Sequence, residues 1–280
     1  MRWRAACLAL VLALGGLAGA QGSELRLEGQ LVQGGLIQGW VAPGSTVSLD
    51  GRALRVAADG RFVFGFDRDA PAVADLLVRG PDGNEERHRL EVAARAYRIQ
   101  RIDGLPPGEV TPSEDDLARI EAEAKLIEAA RQRDSDARGF TEPLAWPAFG
   151  RISGIYGSQR ILNGEPRSPH RGLDIAAPAG TPVGAMAGGV VALAESDMYF
   201  TGGTVIVDHG HGLHSIYGHL REVAVEVGQH LAQGDRVGTV GMTGRATGPH
   251  LHWGVYWFER AIDPALLVGL MPAALGKRSL

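Results

Sequence analysis

The sequence predicts an all-β protein in two units joined by a single helical connector. Three observations carry this. Short apolar runs with period-two alternation recur over residues 24–102 and again over 141–270, turn dipeptides separate them, and one 3.6-period stripe near residue 120 interrupts the series. Glycine is abundant, 40 of 280 residues, while aromatics are only 6%. That mix favours strands and tight turns over long helices. Hydrophobic residues make up 45% of the chain, enough to fill two cores.

Residues 1–20 read as a signal peptide. Arg2 and Arg4 give a positive start, Ala5 to Leu17 form an apolar run, and Ala18-Gly19-Ala20 is a small-residue cleavage site. The run is short for a bilayer span. The mature chain is expected to begin near Gln21, to be exported to the periplasm or extracellular space, and to keep no stable membrane span. Cys7, the sole cysteine, lies in this leader ahead of most of the apolar run and without the upstream leucine of a lipoprotein signal. The mature chain then has no thiol, so any metal must be held by His and carboxylate. Losing Arg2 and Arg4 and no acid moves the formal charge from −4 to −6. No basic face points to nucleic acid.

Residues 21–102 read as a small antiparallel sandwich, immunoglobulin-like by pattern. Leu25, Leu27 and Leu31 alternate with polar neighbours. Val47 and Leu49 follow the Pro43-Gly44 turn. Asp50-Gly51 and Asp59-Gly60 bound further runs, and Phe62, Phe64 and Phe66 alternate strictly. His88 reads as an exposed strand residue. Residues 103–140 are a linker with one helix over 113–134. Pro106-Pro107-Gly108 ends the sheet pattern, Ser113 with Asp116 resembles a capping box, and Leu117, Ile120, Ala124 and Ile127 form the apolar stripe.

Residues 141–270 form the second unit, followed by a tail, 271–280. Strands are expected at 190–193, 204–207, 213–217, 223–225, 236–240 and 251–255. The chemistry gathers here. In His250-Leu251-His252 the spacing is two, so on a strand both imidazoles face one side. In His170…Asp174 the spacing is four, which brings two side chains together on a strand or a helix; Gly172, Pro178 and Gly180 favour strand. His219 shares strand parity with Tyr217 and Ser215. His209 and His211 form another HxH inside a Gly-punctuated turn. Spacing alone leaves them open as ligands; they read as turn residues near the cleft, and His230 as surface. Each motif singly is weak, but three N/O ligands with one open position form the pattern of catalytic zinc.

At these residues a resemblance becomes specific. Trp146-Pro147, Gly154-Ile155-Tyr156-Gly157 with Arg160, and His170-Arg171-Gly172-Leu173-Asp174-Ile175 come first. Gly180-Thr181-Pro182-Val183, Gly188-Gly189-Val190-Val191, Tyr217-Gly218-His219-Leu220, Gly248-Pro249-His250-Leu251-His252 and Ile262-Asp263-Pro264 follow in order. Together they resemble the LytM/lysostaphin-type zinc endopeptidases. The resemblance implies an antiparallel β catalytic domain of half-barrel-like, duplicated-hybrid form. It implies one Zn2+ held by His170, Asp174 and His252, with His219 and His250 as catalytic histidines, one taking a proton from the attacking water and one steadying the oxyanion. Arg160 and Tyr156 become candidate substrate contacts. The implied substrate is the peptide cross-link of peptidoglycan, bound through its stem peptides, with cell-wall or divisome regulators as further partners. Tyr156 stands where Phe is frequent in that family.

Two other readings are open to test. Some relatives lose ligands and act only as activators of wall amidases; all five positions here carry the expected residue type. Gly-rich stretches such as Gly234-Asp235-Arg236-Val237-Gly238 resemble biotinyl and lipoyl carriers, but those need a hairpin lysine, and none occurs between Lys125 and Lys277.

Overall fold

The computed structural model describes residues 25–102 and 114–272. The expected leader with Cys7, the Pro106-Pro107-Gly108 break, the Ser113 cap and the tail beyond residue 272 lie outside the described residues.

Among the described residues, seven short strands come first: β1 (Arg26–Gly29), β2 (Leu36–Trp40), β3 (Thr46–Leu49), β4 (Arg52–Leu54), β5 (Arg61–Gly65), β6 (Val73–Arg79) and β7 (Glu85–Glu91). They make two antiparallel sheets, ordered β1-β2-β5 and β4-β3-β6-β7. Period-two alternation sends Phe62 and Phe64 from one sheet, and Val47, Leu49, Leu76 and Val78 from the other, into one core. Phe62 and Phe64 stack at 6.1 Å and Phe66 meets Phe64 edge-on at 5.7 Å. The outer side of β5 is covered too. Val63 is buried, and the Ile262 side chain fills the space a Cβ on Gly65 would take. His88 on β7 is half-buried beside Glu86, where the sequence suggested exposure.

Polar ties join this part to the rest. Arg95 Nη2 donates to Asp263 Oδ2 at 2.7 Å, Gln38 Nε2 to Phe140 O at 2.7 Å, and Arg52 Nη1 to Glu259 Oε1 at 3.0 Å. The last strand expected of the first unit, β8 (Ile99–Ile102), leaves both sheets. It pairs in parallel with β10 (Gln159–Leu162), which lies between β9 (Arg151–Gly154) and β11 (Glu165–Pro166) in the chain.

The helix α1 (Glu114–Arg131) is shorter than expected and rotated. Ile120, Glu123, Ile127 and Ala130 turn inward, whereas Leu117 and Ala124 are exposed. The reason is polar: Glu123 accepts the Tyr199 N–H at 2.7 Å and Arg119 at 2.7 Å, which sets the face that docks.

The remaining strands are β12 (Leu173–Ala176), β13 (Pro182–Gly184), β14 (Gly189–Met198), β15 (Gly202–Asp208), β16 (Leu213–Val223), β17 (His230–Leu231), β18 (Arg236–Val240), β19 (His250–Trp257) and β20 (Arg260–Ile262). The main sheet runs β17-β14-β15-β16-β19-β12-β9. Val223-Ala224-Val225, expected as a strand, is only the last residue of β16 followed by irregular backbone. On one side of the sheet Leu251, Trp253, Val255 and Trp257 bury against Val205, Val207 and Tyr217. On the other side Ile206, Ile216 and Tyr256 lie with Ala130 and Ile127 of α1. His250 and His252 share that second side with Tyr256, by alternation along β19.

His209 and His211 lie in the connection between β15 and β16, as expected of turn residues, but not near the cleft. Both are buried, four or more ladder positions from the His250–His252 end of the hairpin. His209 donates Nδ1–H to Gly188 O at 2.7 Å, and its Nε2 meets Ser215 Oγ at 2.7 Å. The hydrogen bonds continue to Tyr217 OH at 2.9 Å and the Met186 N–H at 2.8 Å. This network is satisfied by the neutral ring. Burial pushes His209 down to about 4 from an ordinary value of 6.5, against the opposing bond to Gly188 O. Between those two pH values the unfolded chain binds more protons than the folded one. Stability is therefore full above pH 6.5 and is lost as pH falls toward 4, by on the order of 3 kcal/mol from this ring. The melting temperature should drop steadily over that window; a flat profile from pH 7 to 4.5 would contradict it.

Candidate active site

The site is assembled by register. β19 lies between β16 and β12, and its His252 sits opposite Gly218 on one side and opposite Asp174 on the other. Spacing of two puts His250 on the same face, one step along. Gly154 of β9 also pairs with Asp174. A Cβ at Gly154 would fall 2.1 Å from Asp174 Oδ2, so the carboxylate can occupy that space only because the residue is glycine.

His170 departs from the expected strand geometry. It precedes β12 in irregular backbone, held by its N–H to Ser158 O and its C=O to the Gly157 N–H, both at 2.8 Å. Only Asp174 of the pair is on a strand. His219 departs as well. Tyr217 pairs with Trp253 and shares its core, so strict alternation would bury His219 there too. A left-handed backbone at His219 (φ 61°) breaks the alternation, and its N–H bonds Thr201 O at 2.6 Å. The ring turns instead to the side of His250, with centroids 4.6 Å apart.

Three donor atoms converge. His170 Nε2 lies 3.0 Å from Asp174 Oδ1 and 3.1 Å from His252 Nδ1, and His252 Nδ1 lies 3.0 Å from the same Oδ1. Among the described residues these three side chains form the group whose ligand atoms could share a metal ion. The donor chemistry fits a divalent cation. Bonds of 2.0–2.1 Å in a tetrahedral set give donor–donor edges of about 3.3 Å, close to the spacings found. His250 Nε2 stands at 3.9 Å from Asp174 Oδ1.

Backbone carbonyls fix the tautomers, because a carbonyl only accepts. His170 gives Nδ1–H to Ile155 O at 3.1 Å, His219 gives Nδ1–H to Thr243 O at 2.8 Å, and His250 gives Nδ1–H to Gly248 O at 2.8 Å. The neutral rings of His219 and His250 are each left with a lone pair on Nε2, whereas Nε2 of His170 is already turned onto Asp174 Oδ1. Sequence reasoning missed Thr243 and Thr201 outright and the carbonyl roles of Ile155 and Gly248, which it quoted only as motif residues, since a main-chain carbonyl carries no residue-type signal.

Electrostatics follow from burial and these bonds. Burial alone would raise the Asp174 carboxyl, but the hydrogen bonds from His170 and His252 outweigh it and hold it far below the usual carboxylate range. Burial opposes charging His170, yet Asp174 prevails and its pKa rises, against the nearby positive charge of Arg160. Burial pushes His219 down to about 4.

The profile of Peptidase family M23 matches residues 168–264, which include all five of these side chains. A crystal structure assigned to peptidase M23, from Pseudomonas aeruginosa, is 32% identical, covering 86% of this chain and 96% of that one with a TM-score of 0.67. The chain belongs to peptidase family M23. Among curated relatives, the M23 chain is 40% identical over 104 residues to the peptidoglycan DD-endopeptidase ShyA of Vibrio cholerae, and 39% over 109 residues to ShyC of the same organism. These alignments take in 37% and 38% of this chain and 24% of each relative. The chain thus spans about a quarter of the length of either.

Two further candidates in this M23 chain resolve differently. Tyr156 is 4% exposed and its hydroxyl donates to Ala261 O at 2.8 Å, so it is a core residue with its polar atom engaged and not a substrate contact. Arg160 on β10 is exposed and lies on the His170 side of the site.

In the metal-free chain the His219 ring should stay neutral down to about pH 4. Histidine ring NMR titration checks this; a His219 midpoint near 6.5 would show that the ring is not desolvated as described.

Proposed function

We propose that this chain is an exported zinc-dependent endopeptidase that hydrolyses peptide cross-links of bacterial peptidoglycan. The observation that supports it most is the convergence of His170 Nε2, Asp174 Oδ1 and His252 Nδ1 within 3.1 Å of one another, with the rings of His219 and His250 adjoining. Residues 141–270 would be the catalytic unit and residues 21–102 an accessory one. Relatives named as peptidoglycan DD-endopeptidases support the substrate class.

His170, Asp174 and His252 would hold the ion. Zinc bound in this way polarises a substrate carbonyl and activates water near neutral pH. The protein supplies the proton traffic. His219 and His250 both spend Nδ1–H on a carbonyl, so each offers Nε2 as a proton acceptor. The ring that takes the water's proton then carries Nε2–H, which it can give to the oxyanion or the departing amine. His219, kept neutral by burial, enters as an acceptor. The intact set of five favours catalysis over a non-catalytic activator role.

The test is digestion of purified peptidoglycan with mass analysis of the products, with and without a chelator, beside metal analysis of variants. His170→Ala and Asp174→Ala should lose zinc and activity together. His219→Ala should keep zinc while activity falls by roughly 100-fold or more. A His170→Ala protein that retains stoichiometric zinc and full digestion would end this reading.

A further inference from the structure

We propose that Arg68 and Tyr97, far from the site in sequence, are positioning residues for His170. The inference rests on the reading of His170 as a metal ligand. Asp174 and His252 are on paired strands, whose ladders fix their backbones. His170 is not. Apart from the Asp174 carboxylate it shares the site with, its ring is aimed by Ile155 O, and its backbone by two bonds to Gly157 and Ser158. The 155–158 loop therefore decides where Nε2 points, and a site on a loop is only as well placed as whatever holds the loop.

Arg68 and Tyr97 hold it. Arg68 Nε donates to Gly157 O at 2.9 Å, while the N–H of the same glycine bonds His170 O at 2.8 Å. Gly157 is thus tied on one side to His170 and on the other to Arg68. Its backbone is left-handed (φ 76°), and the Tyr97 ring lies where a Cβ would project, 2.1 Å from that point. Tyr97 in turn lies under the Arg68 guanidinium, Cζ to centroid 4.7 Å, and edge-on to Tyr156 at 6.1 Å. The strand β8 continues the grip: Gln159 N–H bonds Arg98 O at 2.9 Å, and Ile99–Ile102 pairs along β10. Arg68 is largely buried by these contacts, with 16% of its side chain exposed. The first part of the chain is in this way built into the support of one ligand.

Zinc affinity of the chain from Gln21 onward, measured by competition with a chromogenic chelator, reads this directly and does not depend on turnover. Arg68→Ala and Tyr97→Ala should each weaken zinc binding by roughly 10-fold or more, with the metal-free protein still melting cooperatively. Arg68→Lys keeps the charge but not the guanidinium fork, and should lose affinity by a smaller factor; it decides the question should Arg68→Ala fail to fold. Arg79→Ala, a substitution at an exposed Glu85 pair, should match the wild type. Wild-type zinc binding that His170→Ala abolishes, together with unchanged affinity in the Arg68 and Tyr97 variants, would overturn this inference alone. A wild-type chain that takes up no zinc would overturn the metal reading and this inference with it.

Discussion

The site depends on one register. His252 is flanked by Asp174 and by Gly218 across two antiparallel ladders, and a slip of one residue on either strand would send the imidazole and the carboxylate to opposite faces. That register is secured on the far side of the sheet. Leu251, Trp253 and Val255 alternate with the site residues on β19 and are fully buried. Moving His252 out of line would drag Trp253 into solvent, at a cost of several kcal/mol in lost apolar burial. The apolar core thus fixes the polar site without touching it.

Main-chain carbonyls provide the second level of control. Ile155, Thr243 and Gly248 each take one ring N–H. These bonds cost the protein no side chain and choose the tautomer as well as the direction of the free nitrogen. They also place unusual demands on the loops that supply them. The Thr243 loop and the 199–203 loop are interlocked, with Gly203 N–H bonding Thr243 Oγ1 at 2.9 Å and Arg245 N–H bonding Phe200 O at 3.0 Å. Both loops then hold His219, one through its ring and one through its backbone.

Much of this could be read from the sequence because it depends on period and residue type. Alternation marked the strands of both parts, and the HxH spacing put His250 and His252 on one face. What depends on breaks in period could not be read. His219 reaches the site only because φ 61° interrupts the β16 alternation, and nothing in Tyr217-Gly218-His219-Leu220 announces that turn. His170 sits in irregular backbone beside Gly157, which Arg68 and Tyr97 contact from far earlier in the chain. Of the apolar stripe on α1, Ile120 and Ile127 turn inward while Leu117 and Ala124 stay exposed, because the half-buried Glu123 carboxylate takes the place facing the Tyr199 N–H. Tyr156 looked like a candidate contact from its motif, and only the Ala261 carbonyl reveals it as core.

Histidine content alone never separates site from scaffold. In this chain the distinction lies in the second nitrogen. His209 spends both, on Gly188 O and Ser215 Oγ, and the surrounding sheet closes over it. His219 and His250 spend only Nδ1 on a carbonyl, and His170 spends its Nδ1 the same way while its Nε2 meets Asp174, so their Nε2 atoms gather beside that carboxylate. A ring with both nitrogens satisfied can cross-link strands but cannot exchange a proton or bind an ion without breaking what it holds. A ring with one nitrogen tethered is oriented yet chemically free. The same residue type therefore serves as a buried strut at one end of the β15–β16 hairpin and, in the proposed function, as the proton carrier at the other, and the difference is set by whether the fold leaves a partner for the last lone pair.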